Sequence, residues 1–94
     1  MPTEERKLRD LVSIGTAMLR DFERLGVASV TELSRRNPEK LYEKLCQIKG
    51  QPQDICCLDV LRAAVAQARD PHLPREQCQW WYWSCRRKAR DGGR

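Results

Sequence analysis

Two glycines set eleven residues apart bracket one helix's worth of sequence in the stretch 11–27, LVSIGTAMLRDFERLGV, and that spacing constrains the chain more than any other feature. Between Gly15 and Gly26, Met18, Phe22 and Leu25 fall at i, i+4 and i+7, so one face of a helix is apolar. Gly26 stands where a C′ residue belongs. Upstream, the charged segment 4–11 places Leu8 and Leu11 three apart, which predicts a short amphipathic helix ended by Val12 and Ser13. Gly15 is expected to supply the positive φ of a tight reversal, and Thr16 to cap the second helix by lending its hydroxyl to an orphan N–H. Two helices joined by so short a turn must pack on each other.

Leu11, Val12, Ser13, Ile14 and Gly15 resemble the Leu-Pro-Gly-Ile-Gly turn of the helix-hairpin-helix motif. The resemblance implies that the turn amides hold a nucleic-acid phosphate without reading sequence. The physics stands by itself, because a helix N-terminus with free N–H groups is an anion site. The candidate nucleic-acid-binding residues are therefore Val12, Ser13, Ile14, Gly15 and Thr16, with Lys7, Arg9 and Arg20 close in sequence. Asp10, Asp21 and Glu23 are interspersed among those cations, so a solvated face of mixed charge is the plainer reading. Val12 and Ser13 replace the motif's Pro and Gly, and Leu19 stands where a small residue is common. A hairpin shape can outlast its phosphate site.

Past Gly26, Ser29 and Glu32 have capping-box spacing and open a short connector helix reaching about Arg36. Asn37 then caps a helix with Pro38 in the favoured N1 place, striped by Leu41, Leu45 and Ile48 and ended by Gly50. Asp54 or a near neighbour opens the next helix, to about Arg69, with Leu58, Leu61, Val65 and Ala68 as its stripe and Ile55 and Ala64 beside it. Leu11-x-x-Ile14 before Gly15 is faintly repeated as Leu45-x-x-Ile48 before Gly50. The expected fold is all-α: about five short helices in a tandem helix-hairpin-helix, SAM-domain-like bundle over residues 1–85, with a Trp-rich last helix. Residues 86–94 read as a basic, disordered tail.

The formal charge of +5 points to nucleic acid until it is located. Five basic residues against Asp91 give +4 in the last nine positions, and the other 13 basic and 12 acidic residues leave +1 for positions 1–85. No apolar run approaches the roughly 18 residues of a membrane span, and the charged start has no signal-peptide pattern, so the expected protein is cytoplasmic, without a membrane partner. Five cysteines without a CxxC pair, and His72 alone between Pro71 and Pro74, argue for reduced thiols and against a metal site, a cofactor or catalysis.

The last element, about 75–88, carries Trp80, Trp81, Tyr82 and Trp83 in succession. On a helix, Trp81 shares a face with Cys78 and Cys85, while Trp80 and Trp83 lie on another with Arg87 nearby. One or two of these rings can close the core, and the others can form a platform for a partner. Trp80, Trp83 and Arg87 are thus candidate partner-binding residues.

The phrases 25–27, 38–46, 57–65 and Trp80-Trp81 resemble a small bacterial family of pathogenicity-locus or mitomycin-resistance proteins, over most of 11–83. That resemblance implies a helix-hairpin-helix fold of the SAM-like group. It adds only a pointer towards nucleic acid, because fold does not fix function. The expected function is a non-enzymatic module binding DNA or RNA through the first turn. The alternative is a protein-interaction or self-association module using the tryptophan end.

Overall fold

The computed structural model describes residues 6–91, and among them lie five α-helices, two 3-10 turns and no strand. The helices are α1 (Thr16–Leu25), α2 (Val30–Ser34), α3 (Pro38–Lys49), α4 (Ile55–Arg69) and α5 (Trp80–Asp91). Their ends follow local chemistry. Gly26 (φ 76°) and Gly50 (φ 71°) adopt the left-handed conformation that stops α1 and α3, and the Val27 amide donates back to Phe22 O at 2.9 Å. The side chains of Ser29, Asn37 and Asp54 accept amides at the starts of α2, α3 and α4. The expected capping box at Ser29 is half formed, since the Glu32 carboxylate accepts the Ala28 amide rather than that of Ser29.

α4 is the spine of the molecule and packs against α2, α3 and α5. Eight of its fifteen residues are buried. The core joins Phe22, Leu25, Val30, Leu33, Leu45, Leu61 and Val65, all nearly or fully excluded from solvent. Emptying such a site, as in Phe22→Ala, costs about 3–5 kcal/mol in comparable cores. Ile48, expected in the stripe of α3, and Ile55, expected beside that of α4, are 44% and 41% exposed. Both lie beside the α3–α4 turn, where the helices run past the edge of the core.

Three boundaries differ from the sequence expectation. The segment before the first turn is a 3-10 turn over Leu8–Asp10, and the part of the expected helix before residue 6 lies outside the described residues. The last element is two pieces, a 3-10 turn over Arg75–Cys78 and then α5, separated at Gln79 by an extended backbone (ψ 138°). Residues 86–91, read as the start of a disordered tail, continue α5, while 92–94 lie outside the described residues. The reason is a long-range ion pair. Arg87 Nη2 lies 2.9 Å from Asp59 Oδ2, and Asp59 is fully buried on α4.

Candidate functional site

The first turn reverses the chain at an unexpected residue. Ser13, not Gly15, takes the left-handed conformation, with φ 71°. Ser13 stands at the helix-hairpin-helix motif's first glycine, so it carries strain of about 1–2 kcal/mol that glycine would avoid. Gly15 is extended (φ −102°, ψ −175°) and is itself the N-cap of α1. Thr16 is therefore the first helical residue, and its expected capping role is not taken up.

The consequence is an open helix start. The first backbone bond of α1 runs from the Leu19 amide to Gly15 O, at 3.0 Å, leaving the amides of residues 16–18 ahead of it. Gly15 has no side chain to cap them, and a Cβ built on it would meet nothing within 4 Å. Lys7, Arg9 and Arg20 are exposed around this start, as are Val12, Gly15 and Thr16, with Ser13 and Ile14 half-buried. Asp10 is exposed as well, with its carboxylate accepting the Lys7 amide at 2.8 Å.

What fixes this turn is Gln67, a buried residue of α4 that sequence reasoning missed. Its Oε1 accepts the Val12 amide at 2.8 Å and its Nε2 donates to Val12 O at 3.0 Å, so one carboxamide satisfies both backbone groups. The same Nε2 lies within bonding reach of Ala63 O and Cys78 O, at 3.3 and 3.4 Å. Val12 is consequently spent on the scaffold, and the exposed amides begin after it.

Much of the positive charge is likewise spent. Arg6 Nη1 donates to Gln67 O at 2.7 Å at the end of α4. Arg36 Nη2 donates to Leu25 O, and Arg69 donates to the carbonyls of Ser34 and Arg36. Each guanidinium closes the C-terminal end of a helix distant in sequence. Asp21, buried on α1, is held by Arg24 at 3.0 Å and by Lys49 of α3 at 3.2 Å.

The tryptophan end does not form the expected single face. Trp80 and Trp81 are 40% and 47% exposed, whereas Trp83 is half-buried and its Nε1 donates to Gln77 O at 2.8 Å. Arg87, assigned to partner binding beside Trp80 and Trp83, is instead the inward partner of Asp59, with its Nε also 3.2 Å from Oδ1. A lone carboxylate in the apolar run of α4 was the available signal, since a buried charge needs a counter-charge. Cys78 is buried and Cys85 exposed, so the predicted face with Trp81 is absent too.

The thiols give no nucleophilic arrangement among the described residues. Burial pushes Cys56, Cys57 and Cys78 above the usual thiol range, with the Asp54 side chain adding to the effect at Cys56 and Lys49 opposing it at Cys57. His72 is exposed, and its amide donates to Asp70 Oδ1. No helix of the described residues is long and apolar enough to cross a membrane.

Residues 2–89 match the model of the family described as Pathogenicity locus. Over 81 residues the sequence is 38% identical to the mitomycin resistance protein McrB of Streptomyces lavendulae, covering 86% of this chain and 73% of that protein. No solved structure matches the chain. A family match spanning nearly the full sequence, together with that relative, places this chain in the pathogenicity-locus family.

Proposed function

We propose that this protein is a small non-enzymatic, cytoplasmic binding module of the helix-hairpin-helix type, which holds a nucleic-acid phosphodiester backbone without sequence preference at the start of α1. The observation that carries this reading is the uncapped, sterically open amide cluster behind Gly15, with Lys7, Arg9 and Arg20 exposed around it. A phosphate oxygen would accept hydrogen bonds from the amides of residues 16–18, and the three side chains would add screening-sensitive attraction. Ser13 in the left-handed conformation keeps the reversal that presents these amides. The resistance named for the relative is that protein's, and this reading assigns the present chain a binding role only.

The test is a titration of isotopically labelled protein with a short DNA duplex at low salt. Amide shifts centred on residues 13–16, with affinity falling as salt rises, are expected. Absence of shifts there, or an affinity indifferent to salt, overturns the proposal.

A second reading rests on the exposed indoles of Trp80 and Trp81, which favour a protein partner or a second copy of the chain. Acrylamide quenching of tryptophan fluorescence that falls as protein concentration rises supports it. Concentration-independent quenching in a monomer counts against it.

A further inference from the structure

A cleft of about 250 Å³ lies between the start of α3, one face of α4 and the inner side of α5. Its apolar lining is Pro38, Val65 and Ala66, and its aromatic wall is Trp83. Arg62, Arg69, Arg86 and Arg87 surround it, with Glu39 as the one acidic lining residue. The charges do not cancel. Arg62 is paired with Glu39 at 2.8 Å and Arg87 with Asp59, whereas Arg69 and Arg86 have no carboxylate partner among the described residues. Arg69 directs Nε and Nη2 at backbone carbonyls, and Arg86 lies over rings, 5.7 Å from the Tyr82 centroid and 5.8 Å from that of Trp83. Two cations that no carboxylate neutralises, Arg86 also donating to the Tyr82 hydroxyl at 3.1 Å, beside an indole and an apolar floor suit a flat aromatic group carrying an anion.

Size narrows the ligand. The cleft is below the roughly 300–1,000 Å³ usual for complete small-molecule sites, so it takes a fragment such as one base. On the other flank of the α3 start lies a second groove of about 380 Å³, lined by Arg35, Arg36, Asn37, Lys40, Leu41 and Lys44, with no acidic residue. Arg69 of the cleft and Arg36 of the groove are in contact, Arg69 Nη2 donating to Arg36 O at 2.9 Å. A base-sized cleft next to a groove with four cations and no carboxylate fits a chain of nucleotides better than a free one.

We infer that single-stranded nucleic acid crosses the start of α3, with one unstacked base against Trp83 and Arg86 and its backbone along Lys40 and Lys44. This site extends the nucleic-acid reading but does not depend on the first turn. It uses Arg62, Ala66 and Arg69 of α4, whereas the first turn is held by Gln67 of that helix.

The test uses the full chain, a ten-residue oligothymidylate, an abasic strand of equal length and thymidine monophosphate, at low salt. Binding is read by tryptophan fluorescence and by the Trp83 indole N–H resonance. The thymidylate strand is expected to bind and to shift that resonance, the abasic strand to bind about ten-fold more weakly, and the mononucleotide more weakly still. Arg86→Glu should weaken strand binding about ten-fold or more and Lys40→Glu about three-fold. Both side chains are exposed, and unchanged circular dichroism verifies folding. Gly15→Asp, which blocks the first turn, should leave the strand-induced shift of the Trp83 indole resonance in place. Equal affinity for the abasic strand, mononucleotide binding as tight as that of the strand, shifts confined to residues 13–16, or a folded Arg86→Glu variant that binds like the parent each overturns the inference. Failure of duplex to shift residues 13–16 would sink the turn proposal alone.

Discussion

The starts of α1 and α4 are the two halves of a faint internal repeat, and they close in opposite ways. The α3–α4 turn is sealed by its own neighbours: Tyr42 O–H donates to Gln53 O, the Gln53 amide approaches Cys46 Sγ at 3.4 Å, and Asp54 accepts the Cys56 amide at 2.9 Å. The α1 start has glycine where α4 has a carboxylate, and its turn is held by Gln67 from 55 residues away. The second half thus fills its own helix start with Asp54, and the first leaves that position open. A repeat with one half self-capped can devote that half to scaffold and the other to binding.

The largest expected effect is on the scaffold half. Arg87→Ala leaves the fully buried Asp59 on α4 with only Arg62, 4.0 Å away, as a counter-charge, and urea unfolding should show a loss of about 3 kcal/mol. Replacing both partners by Leu and Met should recover most of it. If the single substitution costs less than about 1 kcal/mol, α5 is not a strap on the second half. Next, Gln67→Leu removes the partner of both Val12 backbone groups, at about 1–3 kcal/mol for each group left dry. Hydrogen exchange should accelerate in the first turn before the second; simultaneous loosening of both would break the distinction between remote and local closure.

Ser13→Gly works in the other direction. Glycine accepts φ 71° without the left-handed penalty, so a net gain of about 0.5–1 kcal/mol is expected in thermal unfolding. Destabilisation would mean that the Ser13 side chain supports the turn. The smallest stability change comes from exchanging the two caps. Gly15→Asp should add only a few tenths of a kcal/mol while abolishing phosphate binding at α1, because its carboxylate takes the ligand's place. Asp54→Asn at α4 should flatten the acid limb of stability. Amide bonding from Cys56 holds the folded Asp54 carboxyl below its ordinary range. The stabilisation is therefore present above the unfolded value of about 3.9 and is lost as pH falls through the lower folded value. An acid limb identical in the variant would deny Asp54 its capping role.

How much of this was legible in the sequence depends on the range of the interaction. Gly26, Gly50, Ser29, Asn37-Pro38 and Asp54 act on amides and carbonyls within a few residues, so each helix end they control could be read directly. The family and the all-helical class were likewise readable from 25–27, 38–46 and Trp80-Trp81. Gly15 misled because glycine serves both as a left-handed residue and as an N-cap, and only the path of the chain decides between them. Arg87 misled because its partner is 28 residues away. Gln67 could have drawn suspicion as a polar residue within the apolar run ending α4, but its role needs three segments brought together. The basic cleft at Trp83 was invisible because Arg62, Arg69 and Arg86 converge only in space, whereas the groove lined by residues 35–44 is local and its cations read as a solvated helix face.

Arg36 and Arg69 stand at the joints between helices, where a protease specific for basic residues would be expected to cut first. Both side chains are bonded to carbonyls of other segments, 11 and 33–35 residues away, so neither can enter a protease without releasing the helix end it closes. Cleavage at these joints should therefore follow opening of the fold rather than fraying of one helix, and trypsin resistance at Arg36 and Arg69 becomes a gauge of folded-state stability.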